Sequence, residues 1–192
     1  MRSIILRVCG TFGSGKTTAV RQFINDYPSM VMESNNKIMG YCVDLYKCGI
    51  VRPLYVVGKY DNVCGGTDSI NTQLEVAERV MKAHSHGHVI YEGALVSASG
   101  LGGKVTQITQ ETGDTVYAFL DTPEEKCIER VIKRRIDAGN EKEFNPKNLI
   151  HKYKSVIGCR KNLLAANYNV VDVDHLDCHN DIIKIIKDFE ND

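Results

Sequence analysis

Nine residues near the start of the chain, G-T-F-G-S-G-K-T-T from Gly10 to Thr18, place glycines, a lysine and hydroxyls in the spacing G-x-x-x-x-G-K-[ST]. The glycines let successive backbone N–H groups turn inward around a phosphate, and the loop opens a helix whose positive N-terminal end faces that anion. Lys16 then reaches the β- and γ-phosphates of a nucleotide, and the Thr17 hydroxyl ligates Mg²⁺. Gly10, Thr11, Phe12, Gly13, Ser14, Gly15, Lys16, Thr17 and Thr18 are therefore the expected nucleotide-binding residues. The motif lies between an apolar, strand-like run at 4–8 and a helix-like run at 17–27. That context separates a working phosphate loop from a chance match in a surface loop.

Phosphate loops serve kinases, GTPases and motor-type ATPases, so other residues must choose among them. The guanine-reading N-K-x-D of a GTPase is missing from the sequence. The strand-like run H-V-I-Y-E-G ends in a single carboxylate, Glu92. Beside the phosphate loop it would hold a Mg²⁺-bound water or contact the acceptor, and the bland alternative is a charge that closes a strand. Thr17 and Glu92 are thus the expected metal-binding pair. Arg130, Arg134 and Arg135 lie in E-R-V-I-K-R-R, with Arg130 and Arg134 one helical turn apart on the same face. Guanidinium forks supply fixed donors to a phosphoryl group in transfer, which is the work of a closing lid. Without the phosphate loop the same residues would read as a solvated basic face.

The acceptor side is marked by Y-D-N-V-C-G-G-T-D, Tyr60 to Asp68, where two carboxylates, a phenol and a glycine pair precede a helix N-terminus. Tyr60, Asp61, Gly65, Gly66, Thr67 and Asp68 are its expected substrate contacts, although the same letters also make a tight turn with a helix cap. Glu33 ends the strand that follows the phosphate-loop helix, where kinases acting on hydroxyls often hold a general base. Glu33, Asp68 and Glu92 are rivals for that role, because the choice depends on reach to the acceptor proton. Lys16, Arg130 and Arg134 complete the catalytic candidates. His84, His86 and His88 alternate across a helix-to-strand turn, so they share no helix face and make a poor metal site.

These residues need a scaffold, and the hydrophobic pattern supplies one. Strands are expected at 4–8, 30–33, 88–91, 115–120 and 170–173, with a hairpin-like excursion through 37–45 and 53–60. Helices are expected at 17–27, from Thr67 or Asp68 to about His86, from a capping box at Thr122-Pro123-Glu124-Glu125, at about 145–166, and at 181–189. Strands alternating with helices argue for a mostly parallel sheet covered on both faces.

A chain of 192 residues accommodates one α/β domain with a mobile insert. Lys plus Arg and Asp plus Glu are both 24, so no global basic field draws the protein to nucleic acid, and any such contact must be local. Lys142, Lys147, Lys152, Lys154, Arg160 and Lys161 offer such a patch. The seven cysteines are scattered without a C-x-x-C pair and read as reduced cytosolic thiols. No apolar stretch approaches membrane-spanning length and the N-terminus enters a core strand at once, so a cytoplasmic location is expected.

The segments G-T-F-G-S-G-K-T-T, V-I-Y-E-G and F-L-D-T-P-E-E-K-C-I-E-R-V-I-K-R-R together resemble the nucleoside and nucleotide kinases of the thymidylate-kinase-like fold. The resemblance implies a three-layer α/β/α P-loop NTPase with a five-stranded parallel sheet in the order 2-3-1-4-5. It further implies ATP and Mg²⁺ on the phosphate loop, an acceptor site over the strand ends with an insert at about 37–68, and an arginine-bearing lid at about 130–146, all within one domain over 1–192.

Within that group, G-K-Y-D-N-V-C-G-G-T-D-S-I and F-N-P-K-N-L-I-H-K-Y-K-S-V look like bacteriophage kinases that phosphorylate 5-hydroxymethyluracil in DNA. That resemblance implies a step of thymine hypermodification, which protects a phage genome from host nucleases, carried out in the host cytoplasm. The D-R-[YH] motif of ordinary thymidylate kinases does not occur, which argues against a free nucleoside monophosphate as acceptor. A base within DNA would have to be extruded or single-stranded, with Tyr60 or Tyr41 to stack it. The alternatives are a kinase of a free nucleoside, deoxynucleoside monophosphate or other small metabolite, and a nucleotide-gated binding module with no acceptor. The sequence does not indicate an oligomeric state.

Overall fold

The structure is a computed structural model that describes residues 2–34, 37–61, 65–140 and 142–191. At its centre is β1 (Ile5–Cys9), buried along its whole length. It pairs in parallel with β5 (His88–Glu92) on one side and β6 (Thr115–Leu120) on the other. Beyond β5 lies β4 (Leu54–Val57), and beyond β6 lies β7 (Val170–Val173), both also parallel. Strands covered on both faces read as continuous apolar runs, as V-I-Y and V-Y-A-F do here.

The sheet corrects the expectation of five parallel strands in the order 2-3-1-4-5. It has seven strands in the order β2-β3-β4-β5-β1-β6-β7, and β3 (Lys37–Val43) runs antiparallel to both β4 and the edge strand β2 (Ser29–Ser34). Connection length is the physical reason. Parallel neighbours need a crossover of roughly a dozen residues or more. Only residues 35–36, which lie outside the described residues, join β2 to β3, and residues 44–53 join β3 to β4. Both links are too short for a crossover, so the strands double back. The runs read as an excursion are therefore strands of the central sheet.

Successive residues of β1 point to opposite faces. Ile4, Leu6 and Val8 pack against α1 (Lys16–Asp26) and α7 (Cys178–Asn191) through Val20, Phe23, Ile182 and Ile186. Each of these buried side chains contributes about 1.5–3 kcal/mol. On the other face, Ile5 packs against α2 (Gln73–His84) and α4 (Lys104–Gln110), while Cys9, Tyr117 and Phe119 pack against α6 (Lys147–Ala165). The short α3 (Ala94–Ser97) follows β5, and α5 (Glu124–Asp137) follows β6.

Two expected helix caps fall elsewhere. The hydroxyl that caps α2 belongs to Thr72, which accepts from the Glu75 N–H at 3.1 Å, so the helix starts after the expected Thr67 or Asp68. Pro123 stands at the cap position of α5 with no side-chain cap bond, and the expected Thr122 box does not form. Both displaced threonines are recruited to the cleft described next.

Candidate active site

The phosphate loop closes between β1 and α1, at the end of the sheet where the parallel strands terminate. Within it the Lys16 ammonium donates to the Thr11 carbonyl at 2.9 Å, and the Ser14 hydroxyl donates to the same carbonyl at 2.9 Å. Gly13 has φ +76° and lies so close to α5 that an added Cβ would stand 2.4 Å from the Cys127 carbonyl oxygen, which accounts for a glycine there. Helix α5 is docked on the loop: Thr122 donates to the Ser14 carbonyl at 2.8 Å, and Arg130 donates to the carbonyls of Gly13 at 3.3 Å and Ser14 at 3.1 Å. The Thr11 hydroxyl is buried and has no partner among the described residues. An anion in the loop would satisfy it.

Opposite the loop stands Glu92, at the C-terminal end of β5. The Thr17 hydroxyl donates to its Oε1 at 2.9 Å. Burial pushes the Glu92 carboxyl up to about 7, against the opposing pull of the Lys16 ammonium and the Thr17 hydrogen bond. Burial also holds Lys16 below the ordinary lysine range. Two neighbours clamp the strand end: Thr67 donates to the Glu92 carbonyl at 2.9 Å, and the Ala94 N–H donates to Asp68 at 2.7 Å. Gly66, at φ +80°, sits where an added Cβ would lie 2.4 Å from Glu92 Oε1. The three residues thus form a bracket around the carboxylate.

A cleft of about 650 Å³ opens over these groups. Its lining includes Lys16, Thr17, Glu92, Asp68, Arg130 and Arg134, a convergence of cations, carboxylates and backbone donors suited to a polyphosphate and a second reactant.

Comparison with known proteins agrees with this geometry. A family model described as 5-hmdU DNA kinase matches residues 2–169. The chain is 31% identical to the 5-hmdU DNA kinase of Pseudomonas phage PaMx11 over 173 residues, covering 88% of this chain and 90% of that one. It is 28% identical to the 5-hmdU DNA kinase of Pseudomonas phage M6 over 90% of this chain and 91% of that one. Against 5-hmdU DNA kinase 1 of Salmonella phage ViI it is 27% identical over 81% of this chain and 68% of that one. The chain belongs to the 5-hmdU DNA kinase family.

In this family member Thr11, Phe12, Gly13, Gly15, Lys16, Thr17 and Thr18 line the cleft, while Gly10 and Ser14 are buried in the loop beneath it. Of the Tyr60–Asp68 segment, Gly65 and Asp68 reach the cleft, and Gly66 and Thr67 act behind it through Glu92. Asn62, Val63 and Cys64 lie outside the described residues. Asp61 pairs with Lys59 at 2.9 Å on the surface. Tyr60 and Tyr41 are 5% and 8% exposed and stack edge to face with each other in the core. Neither offers a face for a stacked base; of the rings expected to contact ligands, Phe12 is the one exposed to the cleft.

Glu33 is exposed near the end of the edge strand β2, with β3, β4 and β5 between it and β1. Four strand spacings put it about 19 Å to the side of the phosphate loop, so it does not join Asp68 and Glu92. Arg135 turns away from the cleft to Asn140 and the Lys142 carbonyl. His84 and His88 serve the opposite end of the sheet: His84 contacts the Ser3 carbonyl at 2.7 Å, and His88 contacts Glu190 at 2.9 Å.

Sequence reasoning missed the wall formed by His175, Leu176, Asp177, Cys178, His179 and Asn180. Asp121, at the end of β6, holds this segment by accepting from the His175 N–H at 2.9 Å. The available signal was position alone, because any loop following a parallel strand here ends beside the phosphate loop.

Proposed function

We propose that this chain transfers the γ-phosphoryl group of ATP to the hydroxymethyl oxygen of 5-hydroxymethyluracil in phage DNA, as a single kinase domain. The observation that carries the reading is Lys16 and Thr17 facing buried Glu92 across a cleft, in a chain matched by the 5-hmdU DNA kinase model over residues 2–169.

The donor set fits Mg²⁺. A threonine hydroxyl and a carboxylate are hard oxygen ligands, and they already face each other at 2.9 Å. Thr17 and Glu92 would hold the ion, Glu92 directly or through water. When bound, Mg²⁺ supplies positive charge to the phosphates.

The chain's own residues do the rest. Lys16 leaves the Thr11 carbonyl for the β/γ oxygens, and the loop N–H groups cradle the phosphates. Arg134, which lines the cleft, offsets charge on the transferred group, while Arg130 keeps the loop in shape through Gly13 and Ser14. The acceptor oxygen forms its bond to phosphorus as the β–γ bridging bond breaks and ADP departs. Asp68 takes the hydroxyl proton, since it lines the cleft and Glu92 is committed to Thr17 and the metal.

DNA lies against α6, which carries Lys147, Lys152, Lys154, Arg160 and Lys161 and no acidic residue. Arg160 is paired to Asp172 there, leaving the lysines for phosphate contacts. The deciding test offers labelled ATP and Mg²⁺ to 5-hydroxymethyluracil DNA, thymine DNA and free nucleotides side by side. Label on the modified DNA alone is expected; label on a free nucleotide alone would reassign the protein to small-metabolite phosphorylation.

A further inference from the structure

The segment that follows Glu92, G-A-L-V-S-A-S-G-L-G-G from Gly93 to Gly103, has no charged side chain in a chain that is 25% charged. Its inner side is fixed. Val96 and Ser97 of α3 are buried, and the Ser97 hydroxyl donates to the Gly93 carbonyl at 2.7 Å. The fully buried Arg7 of β1 directs its guanidinium here, donating to the Ser99 carbonyl at 3.0 Å and to the Thr106 hydroxyl at 2.8 Å. Thr106 donates to the same carbonyl at 3.0 Å.

The outer side is bare and apolar. Leu95 is 59% exposed and Leu101 39% exposed. An added Cβ at Gly100 or Gly102 would meet nothing within 4 Å, and neither glycine has a left-handed φ. The fold does not demand glycine at either position, and glycine there suits close approach by another molecule's backbone.

Single exposed leucines are ordinary on a protein surface, so the place of these two decides what they do. Ala94, directly before Leu95, lines the cleft, and its N–H donates to Asp68 at 2.7 Å. On the other flank Ala98 packs with Val156 and Cys159 of α6, the helix whose lysines carry DNA in the proposed function. The leucine loop thus stands between the acceptor end of the cleft and the basic helix.

A base paired within a duplex reaches a cleft of this kind only by leaving the stack, and apolar side chains fill or pry open such base steps. Tyr60 and Tyr41 are shut in the core, so neither ring is free to do this. We infer that Leu95, backed by Leu101, enters the duplex where the target base has left it and holds that base out in the cleft. Its rigid mount on Ser97 and Ser99 keeps the wedge from folding away, and the uncharged loop comes near both phosphate strands without repulsion. The inference deepens the proposed function and rests on it for DNA as the substrate.

The test compares 5-hydroxymethyluracil in a single strand, paired with adenine in a duplex, and opposite an abasic site, each with labelled ATP and Mg²⁺. Leu95→Ala should lower kcat/KM on the paired duplex at least about tenfold, because unstacking the base is no longer offset. On the single strand it should stay within about twofold of wild type, and the abasic duplex should recover most of the loss. Leu95→Met, which keeps an apolar wedge, should retain most activity on the paired duplex. With 2-aminopurine beside the target, fluorescence should rise on binding wild-type protein and stay low with Leu95→Ala.

Equal losses on single strand and duplex, no loss on either, or an undiminished fluorescence rise in Leu95→Ala would overturn the inference. Wild-type label confined to single strands would overturn it too, and would leave the kinase assignment standing. Wild-type protein that labels no DNA in any form would sink the acceptor assignment and the wedge together.

Discussion

A carboxyl group shut into the interior titrates unlike one in water, and Glu92 is such a group, pushed up by burial to about 7. In metal-free protein the folded state holds its proton between about pH 4.5 and 7, where the unfolded chain has already released it. Stability therefore falls as pH rises through that window, by about 3 kcal/mol in total. Urea unfolding at pH 5 and pH 8 should show the trend in the wild type, and Glu92→Gln should flatten it. An unchanged pH dependence in the variant would mean that Glu92 is not the titrating group. Lys16 gives a second expectation. Lys16→Ala removes the ammonium aimed at the phosphates, so phosphoryl transfer should fall at least about a hundredfold while the circular dichroism spectrum is kept. Near-normal turnover would remove the phosphate loop from the mechanism.

At the level of elements, Thr67 and Thr122 carry the main lesson. Both stand where sequence rules place helix caps, and both instead donate to carbonyls of the cleft, at Glu92 and Ser14. Each hydroxyl is held by the cleft carbonyl to which it donates, and its oxygen accepts no N–H of a following helix. Thr122→Val should cost about 1 kcal/mol in urea unfolding and weaken ATP binding, because the carbonyl it holds also receives Arg130. A capping role would instead lower helix content without touching ATP affinity. Gly66→Ala should be harsher. Its φ of +80° and the 2.4 Å approach to Glu92 leave no room for a Cβ. The expected loss is about 1–3 kcal/mol, with activity falling further than stability because the carboxylate is displaced. Full activity in that variant would contradict the bracket around Glu92.

For the whole molecule, a chain with 24 basic and 24 acidic residues that acts on DNA as proposed would bind it through the uneven placement of charge rather than its sum. Helix α6 presents Lys154 and Lys161 to solvent without an acidic neighbour of its own. Replacing either by Ala should weaken DNA binding and lower the slope of log K against log salt by about one. Fluorescence anisotropy at several salt concentrations reads this directly, and an unchanged slope would move the DNA to another face. The phosphate loop, the strand ending in Glu92 and the arginines of α5 were legible in the residues themselves. Each depends on local chain geometry: a loop between a strand and a helix, a strand end, a helix face. The antiparallel edge strands, the exclusion of Glu33, the burial of Tyr60 and Tyr41 and the His175–Asn180 wall depend on which segments meet across the sheet. Sequence spacing carries the periods of helix and strand. Only tertiary packing decides which strand ends share a cleft, because that follows from connection length and the burial of both sheet faces rather than from any one segment.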